Sequence, residues 1–224
     1  SFLLMPIRIM ADGADCIQAH LDQDNAYLVA LDKDPNQAGI LRFWSSSTYG
    51  VVLGRSGSIE DDVYASRCQA DSVPVLRRSS GGGTVLQGPG CLSYSLIMPI
   101  LAHDQFKTIG STNAFVMQTM ADSLRHDLPS VSVRGHTDLT LGMHKFSGNA
   151  QRRLRYALLF HGTILYNFDL TKITYYLKQP PKQPAYRNNR PHSSFIINCG
   201  LPSNRIHDCL TQTWRCVLRD FSLN

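Results

Sequence analysis

Apolar residues recur along the chain with two periods, and the places where one gives way to the other sketch the elements. Between residues 15 and 31, Ile17, Leu21, Leu28 and Leu31 fall at helical spacing, the stripe of a helix that covers a sheet. Short β-prone runs follow at residues 41–44 and 51–54 around a Ser/Thr-rich turn, and another at 73–77 ends at a glycine cluster. Residues 91–98 alternate Leu92, Tyr94, Leu96 and Met98 with Ser93 and Ser95, which predicts a half-buried strand. Phe106, Ile109, Val116, Met117, Met120 and Leu124 predict a long helix over 105–126, packed on that sheet. Further runs at 131–133, 137–141, 144–147 and 154–166, parted by short Gly- or Arg-containing turns, predict an antiparallel set. Helices at 170–177 and 203–218 flank a Pro/Gln/Arg-rich loop, 178–191, with Ser203 as the N-cap of the last helix. Runs of strands followed by helices, without strict β-α-β alternation, point to an α+β domain and away from a nucleotide-binding parallel sheet.

Composition narrows this picture mainly by exclusion. At 224 residues a single domain spanning 1–224 is expected, and 43% hydrophobic with 17% charged residues argues against disorder. Residues 1–10 are partly apolar but are broken by Pro6 and Arg8 and have no basic lead. Neither a signal peptide nor a membrane span is expected, and a cytoplasmic location is the default. The six cysteines form no Cys-x-x-Cys pair, which argues against a zinc ribbon or a thioredoxin-type site and predicts mostly buried, reduced thiols. The net charge of +5 is concentrated in Arg152, Arg153 and Arg155 and in residues 178–190. That is either a solvated basic face or an attraction for a polyanion such as ATP or for an acidic protein; neither nucleic acid nor a membrane is expected as a partner.

Three segments carry chemistry. Arg77-Arg78-Ser79-Ser80-Gly81-Gly82-Gly83-Thr84-Val85 follows a predicted strand directly, so backbone N–H groups can approach an anion while a guanidinium clamps it. It is neither a P-loop nor a Gly-x-Gly-x-x-Gly turn. In Lys145-Phe146-Ser147-Gly148-Asn149-Ala150-Gln151 a lysine stands among apolar and small residues, with Asp138 seven positions earlier and His161-Gly162-Thr163 shortly after. A cation held among strands can offset charge on a phosphate or a carbonyl oxygen.

Together and in this order, these segments resemble the biotin/lipoate protein ligase superfamily, most closely the lipoate-protein ligases. The likeness runs from about residue 41 to residue 200 and rests on the Arg-Arg-x-Ser-Gly-Gly-Gly loop, the Lys-x-Ser-Gly-x-Ala strand preceded by Asp138-Leu139, and the His-Gly-Thr strand. It implies a class II aminoacyl-tRNA synthetase/biotin synthetase-like fold, a mixed and mostly antiparallel sheet flanked by helices. It also implies ATP with Mg2+, lipoate or octanoate as substrate, and a lysine of a lipoyl-carrier protein as acceptor. By the same resemblance Arg78, Gly81, Gly82, Gly83, Thr84 and Val85 would hold phosphate and adenylate, and Lys145 would be catalytic, contacting the acyl carbonyl and α-phosphate. Asp138 would place Mg-ATP, Ser147, Gly148 and Asn149 would line the substrate site, and His161 would shape the pocket.

Two departures stand out: Gln87-Gly88-Pro89-Gly90 replaces the His-Asp pair that many ligases carry after the glycine loop, and no C-terminal accessory domain is visible, so an accessory subunit could complete the enzyme. The rival is an octanoyltransferase acting through a Cys199 thioester on acyl carrier protein, favoured by Gln87-Gly88-Pro89-Gly90 and by Cys199-Gly200 but opposed by Asn198 where that family has proline. A third family with its nucleophile upstream of the lysine is excluded, because residues 135–144 hold no cysteine. A non-catalytic subunit that only binds lipoyl domains is the remaining alternative.

Overall fold

The computed structural model describes residues 7–12 and 16–219. In chain order these residues form β1 (Ile7–Asp12), α1 (Ile17–Lys33), β2 (Gly39–Trp44), β3 (Gly50–Leu53), α2 (Ile59–Asp62), α3 (Ala65–Ala70), β4 (Val75–Arg77), β5 (Val85–Gln87) and β6 (Cys91–Pro99). There follow α4 (Ile109–Leu124), β7 (Val131–Arg134), β8 (Asp138–Leu141), β9 (His144–Arg153), β10 (Ala157–Leu165), α5 (Thr171–Tyr176), α6 (His192–Phe195) and α7 (Ser203–Arg219). Seven strands make one sheet in the order β1-β2-β6-β10-β9-β8-β7. Only β1 and β2 run parallel in it. A smaller sheet, β4-β3-β5, pairs β3 parallel with β4 and antiparallel with β5.

Both faces of the large sheet are covered. On one, Met117, Met120 and Leu124 of α4 and Ile206, Leu210 and Trp214 of α7 pack with Leu41, Phe43, Leu96 and Phe160. On the other, Leu28 and Leu31 of α1 meet Ile40, Ile97 and Leu159, and Ile17 and Leu21 carry α1 onward to Trp44 and to Val52 of the small sheet. Each such side chain contributes about 1.5–3 kcal/mol when fully buried. The double cover corrects the expectation of a half-buried strand at 91–98: every residue of β6 is buried, because α1 sits over the serine face and Ser95 Oγ donates to Asp24 of that helix at 2.6 Å.

Other boundaries shift for local reasons. The long helix expected over 105–126 is a 3-10 turn at Asp104–Phe106 followed by α4, whose start is fixed by a Thr108–Ser111 capping box; Ile109 is consequently exposed. The strand expected at 144–147 runs on to Arg153, with Ser147 to Arg153 paired to β10. Ser203 is not a cap but lies in the first turn of α7, where the Ile206 N–H already donates to Pro202 O. β1 is too short for its alternation to signal, although Ile7 and Ile9 pack on the main core. The expectations for residues 1–6 and for a helix start at residue 15 lie outside the described residues. Among the described residues no helix is long and apolar enough to cross a membrane. Cys68, Cys91, Cys199 and Cys209 are buried and free, as expected of most of the thiols, whereas Cys16 and Cys216 are exposed.

Candidate active site

Residues of both sheets line a cleft of about 1000 Å³. Ser93 and Ser95 of β6, Ser147, Gly148 and Asn149 of β9, and His161 and Thr163 of β10 contribute from the large sheet. The glycine loop with Val85 contributes from the small one, and residues 180–185 also line the cleft. Of the residues singled out from the sequence, Arg78, Gly82, Gly83, Thr84, Val85, Asp138, Lys145, Ser147, Gly148, Asn149 and His161 all line it. Gly81 and Cys199 are not among the lining residues.

Lys145 owes its position to an irregularity in β9. The ladder with β8 pairs Leu139 with Ser147 but Thr140 with Lys145, so Phe146 is an extra residue, and such bulges re-aim neighbouring side chains. Phe146 is fully buried in the main core, while the Lys145 amine lies over Gly148, where an added Cβ would come within 3.0 Å of it. It ends 2.9 Å from Asp138 Oδ1. Asp138 Oδ2 accepts from the Tyr186 hydroxyl at 2.7 Å, and burial, reinforced by that carboxylate, pushes the Tyr186 pKa up, so Tyr186 stays a phenol and a donor. The pair presents an ammonium to the cleft in an orientation fixed from behind.

The glycine loop is braced by the arginine expected to clamp a ligand. Arg78 Nη2 donates to Gly81 O at 2.6 Å and Gly83 O at 2.8 Å, and its Nε donates to Ser80 Oγ at 3.1 Å. Burial lowers its pKa to about 10, still a cation at neutral pH. Arg78 therefore acts first on its own loop's carbonyls, which leaves Gly82 at φ +91°, a conformation glycine adopts without strain. Thr84 Oγ1 donates to Asp62 Oδ2 at 2.8 Å. Gly54 lies so close beneath the loop that a Cβ there would meet Gly82 O at 2.1 Å. Gly54→Ala should therefore cost about 1–3 kcal/mol in urea unfolding, because backbone must move to make room; an unchanged midpoint would contradict this contact.

His161 turns both ring nitrogens toward the protein: Nε2 is 2.5 Å from Ser80 Oγ, and Nδ1 faces Asp24 Oδ2 at 3.6 Å, beyond hydrogen-bond distance. Asp24 in turn accepts from Arg42 Nη1 at 2.8 Å, and both side chains are almost fully buried. Gly162 has a separate purpose. The Tyr94 hydroxyl donates across it to Asn149 Oδ1, and a Cβ at Gly162 would sit 1.9 Å from that oxygen. Asn149 Nδ2 donates to Thr137 O and Ser147 Oγ, so this amide is held on three sides. Sequence reasoning missed Asp24, Asp62, Tyr94 and Tyr186. For Asp24 a signal existed, since position 24 falls on the apolar stripe of α1 between Leu21 and Leu28.

The basic segment 178–190 proves less solvated than its composition suggests. Arg187 is buried, with its guanidinium 4.6 Å from the Phe195 ring centroid and donating to Arg190 O and Gln179 Oε1. Arg190 donates to Met143 O and Tyr186 O. These arginines staple the segment that carries Tyr186, so they are not free to steer a charged partner. Cys199 is buried beside the main core, its N–H donating to Leu165 O, and burial pushes its thiol pKa up. That is the opposite of what a nucleophilic thiolate needs.

A lysine amine fixed by Asp138 in the same cleft as a glycine loop suits chemistry that joins a carboxylate to a phosphate. Fold and cleft define the class as an α+β domain with a ligand cleft between a mostly antiparallel sheet and a small one. The description "Lipoyl protein ligase A/B catalytic domain" matches residues 18–198, and the chain belongs to that family. Lipoate-protein ligase A of Blochmanniella floridana is 31% identical over 180 residues, which are 78% of this chain and 50% of that protein. The chain spans about half the length of the curated relatives it matches. A bi-partite lipoate protein ligase from Thermoplasma acidophilum, described together with its E2 lipoyl domain, superposes with a TM-score of 0.78 at 20% identity over 96% of this chain and 84% of that one. A lipoate-protein ligase A bound with ATP gives 0.76 at 22% identity over 96% and 86%. At these identities the likeness establishes the fold.

Proposed function

We propose that this chain is the catalytic domain of a lipoate-protein ligase: it activates lipoate or octanoate with ATP and passes the acyl group to a lysine of a lipoyl-carrier protein. The observation that carries this reading is the Lys145 amine, held 2.9 Å from Asp138 in a cleft that also exposes the glycine loop. In the first step a carboxylate oxygen attacks the α-phosphorus and the bond to pyrophosphate breaks. Lys145 and the loop N–H groups offset the charge that builds on the α-phosphoryl oxygens. In the second step the acceptor amine attacks the acyl carbon, loses its proton, and AMP leaves. The names of the relatives and the ATP in one structural neighbour support this over a thioester route. The lipoyl domain described with the Thermoplasma ligase supports a protein acceptor.

Mg2+ would travel with ATP. It keeps most of its shell as water and phosphate oxygens and needs only one or two carboxylates, and Asp138 retains lone pairs beyond those given to Lys145 and Tyr186. Among the described residues no group of three His, Cys, Asp or Glu side chains forms a protein cage for an ion. The residues thus fit a phosphate-borne Mg2+, which would neutralise phosphate charge.

Incubation with an apo-lipoyl domain, ATP and free lipoate, read by mass, tests the proposal. Product that depends on ATP is expected, and Cys199→Ser should retain most of it because the thiol lies outside the cleft. Acylation from octanoyl-carrier protein without ATP, abolished in Cys199→Ser, would overturn the ligase assignment in favour of the transferase.

A further inference from the structure

A series of polar contacts runs from the glycine loop to the most deeply buried ionic pair among the described residues, with a 3.6 Å approach of His161 to Asp24 as its longest step. Arg42 and Asp24 form that pair, and Arg42 also donates to His20 O at 3.2 Å and to His20 Nδ1. Asp24 faces His161, His161 meets Ser80, and Ser80 Oγ receives Arg78 Nε. The last link, Arg78, closes the loop by holding the carbonyls of Gly81 and Gly83. A loop built on three glycines has little rigidity of its own, and Gly81 and Gly83 have no atom within 4 Å of where a Cβ would stand. Its fixed shape must come from its bonded partners.

We propose that His161 is a positioning residue that transmits the rigidity of the Arg42–Asp24 pair to Ser80, and thereby fixes Arg78 and the glycine loop in the conformation that receives the nucleotide phosphates. The side chain does its work without touching the reacting atoms. Its Nε2 is engaged by Ser80 at 2.5 Å and its Nδ1 points back at Asp24, 3.6 Å away, whereas a general base needs a nitrogen directed at substrate. Asp24 and Arg42 are poor probes, since breaking a buried pair threatens the fold. His161 and Ser80 are the links to cut.

Amide hydrogen exchange across residues 78–85 reads the effect directly and needs no substrate. His161→Ala and Ser80→Ala should each speed exchange there about tenfold, the scale of one lost hydrogen bond, with β6 and β10 unchanged. His161→Gln, whose amide reaches the place of Nε2, should bring the loop back to within about threefold of wild type. The double alanine variant should be no worse than the worse single one, because both changes sever the same chain. Wild-type exchange in His161→Ala, failure of glutamine to rescue, additive effects, or faster exchange spread through β6 and β10 would each overturn the proposal. Its kinetic side rests on the ligase reading: in adenylate formation the KM for ATP should rise about tenfold in His161→Ala while kcat stays within a few-fold. If the wild-type chain makes no adenylate, that reading fails, while the exchange experiment still decides the role of His161.

Discussion

Lys145→Ala should lower acyl-adenylate formation by about 10²–10³-fold, the usual cost of removing one preorganised donor from developing charge. The bulge at Phe146 and the open surface of Gly148 aim the amine into the cleft, and Asp138 fixes it. The effect should fall on kcat more than on the KM for ATP, since the glycine loop and Arg78 are untouched. Stability should drop by only about 1 kcal/mol, because Asp138 keeps the Tyr186 hydroxyl as a partner and the lysine is partly exposed. Single-turnover release of pyrophosphate measures the first quantity and urea unfolding the second. A variant within a few-fold of wild type in pyrophosphate release would remove Lys145 from the chemistry.

The strands and helices were largely legible because burial on two faces imposes simple periods, and the order of the three motifs announced the cleft. What the sequence could not announce is pairing across distance. The exchange of partners between Tyr94 and Asn149 depends on Gly162 lying between them, and the bulge that aims Lys145 is a register shift with no local signature. Arg78 looked like a ligand clamp because arginine beside glycine is a phosphate pattern, yet its donors first satisfy carbonyls that the glycine loop leaves without strand partners. Segment 178–190 looked like a solvated basic face because composition is blind to Phe195, whose ring receives Arg187. Ser93 and Ser95 looked wet because alternation reports polarity, and a buried serine that bonds a buried acid has the same pattern.

Asp24→Ala is expected to be the most destabilising single change among those considered, and its cause lies in the one acid on the apolar stripe of α1. Removing the carboxylate takes from the Arg42 guanidinium, 1% exposed, its 2.8 Å acceptor and strips Ser95 of its own. A buried pair broken from one side costs about 3–5 kcal/mol. For a domain of this size that corresponds to a fall in Tm of about 6–20 °C. Asp24→Asn should cost less, since an amide oxygen can still accept from Arg42, although the charge is lost. Calorimetric melting of the two variants decides the matter: an Asp24→Ala protein that melts within about 2 °C of wild type would show that the Arg42–Asp24 pair does not anchor α1 to the sheet.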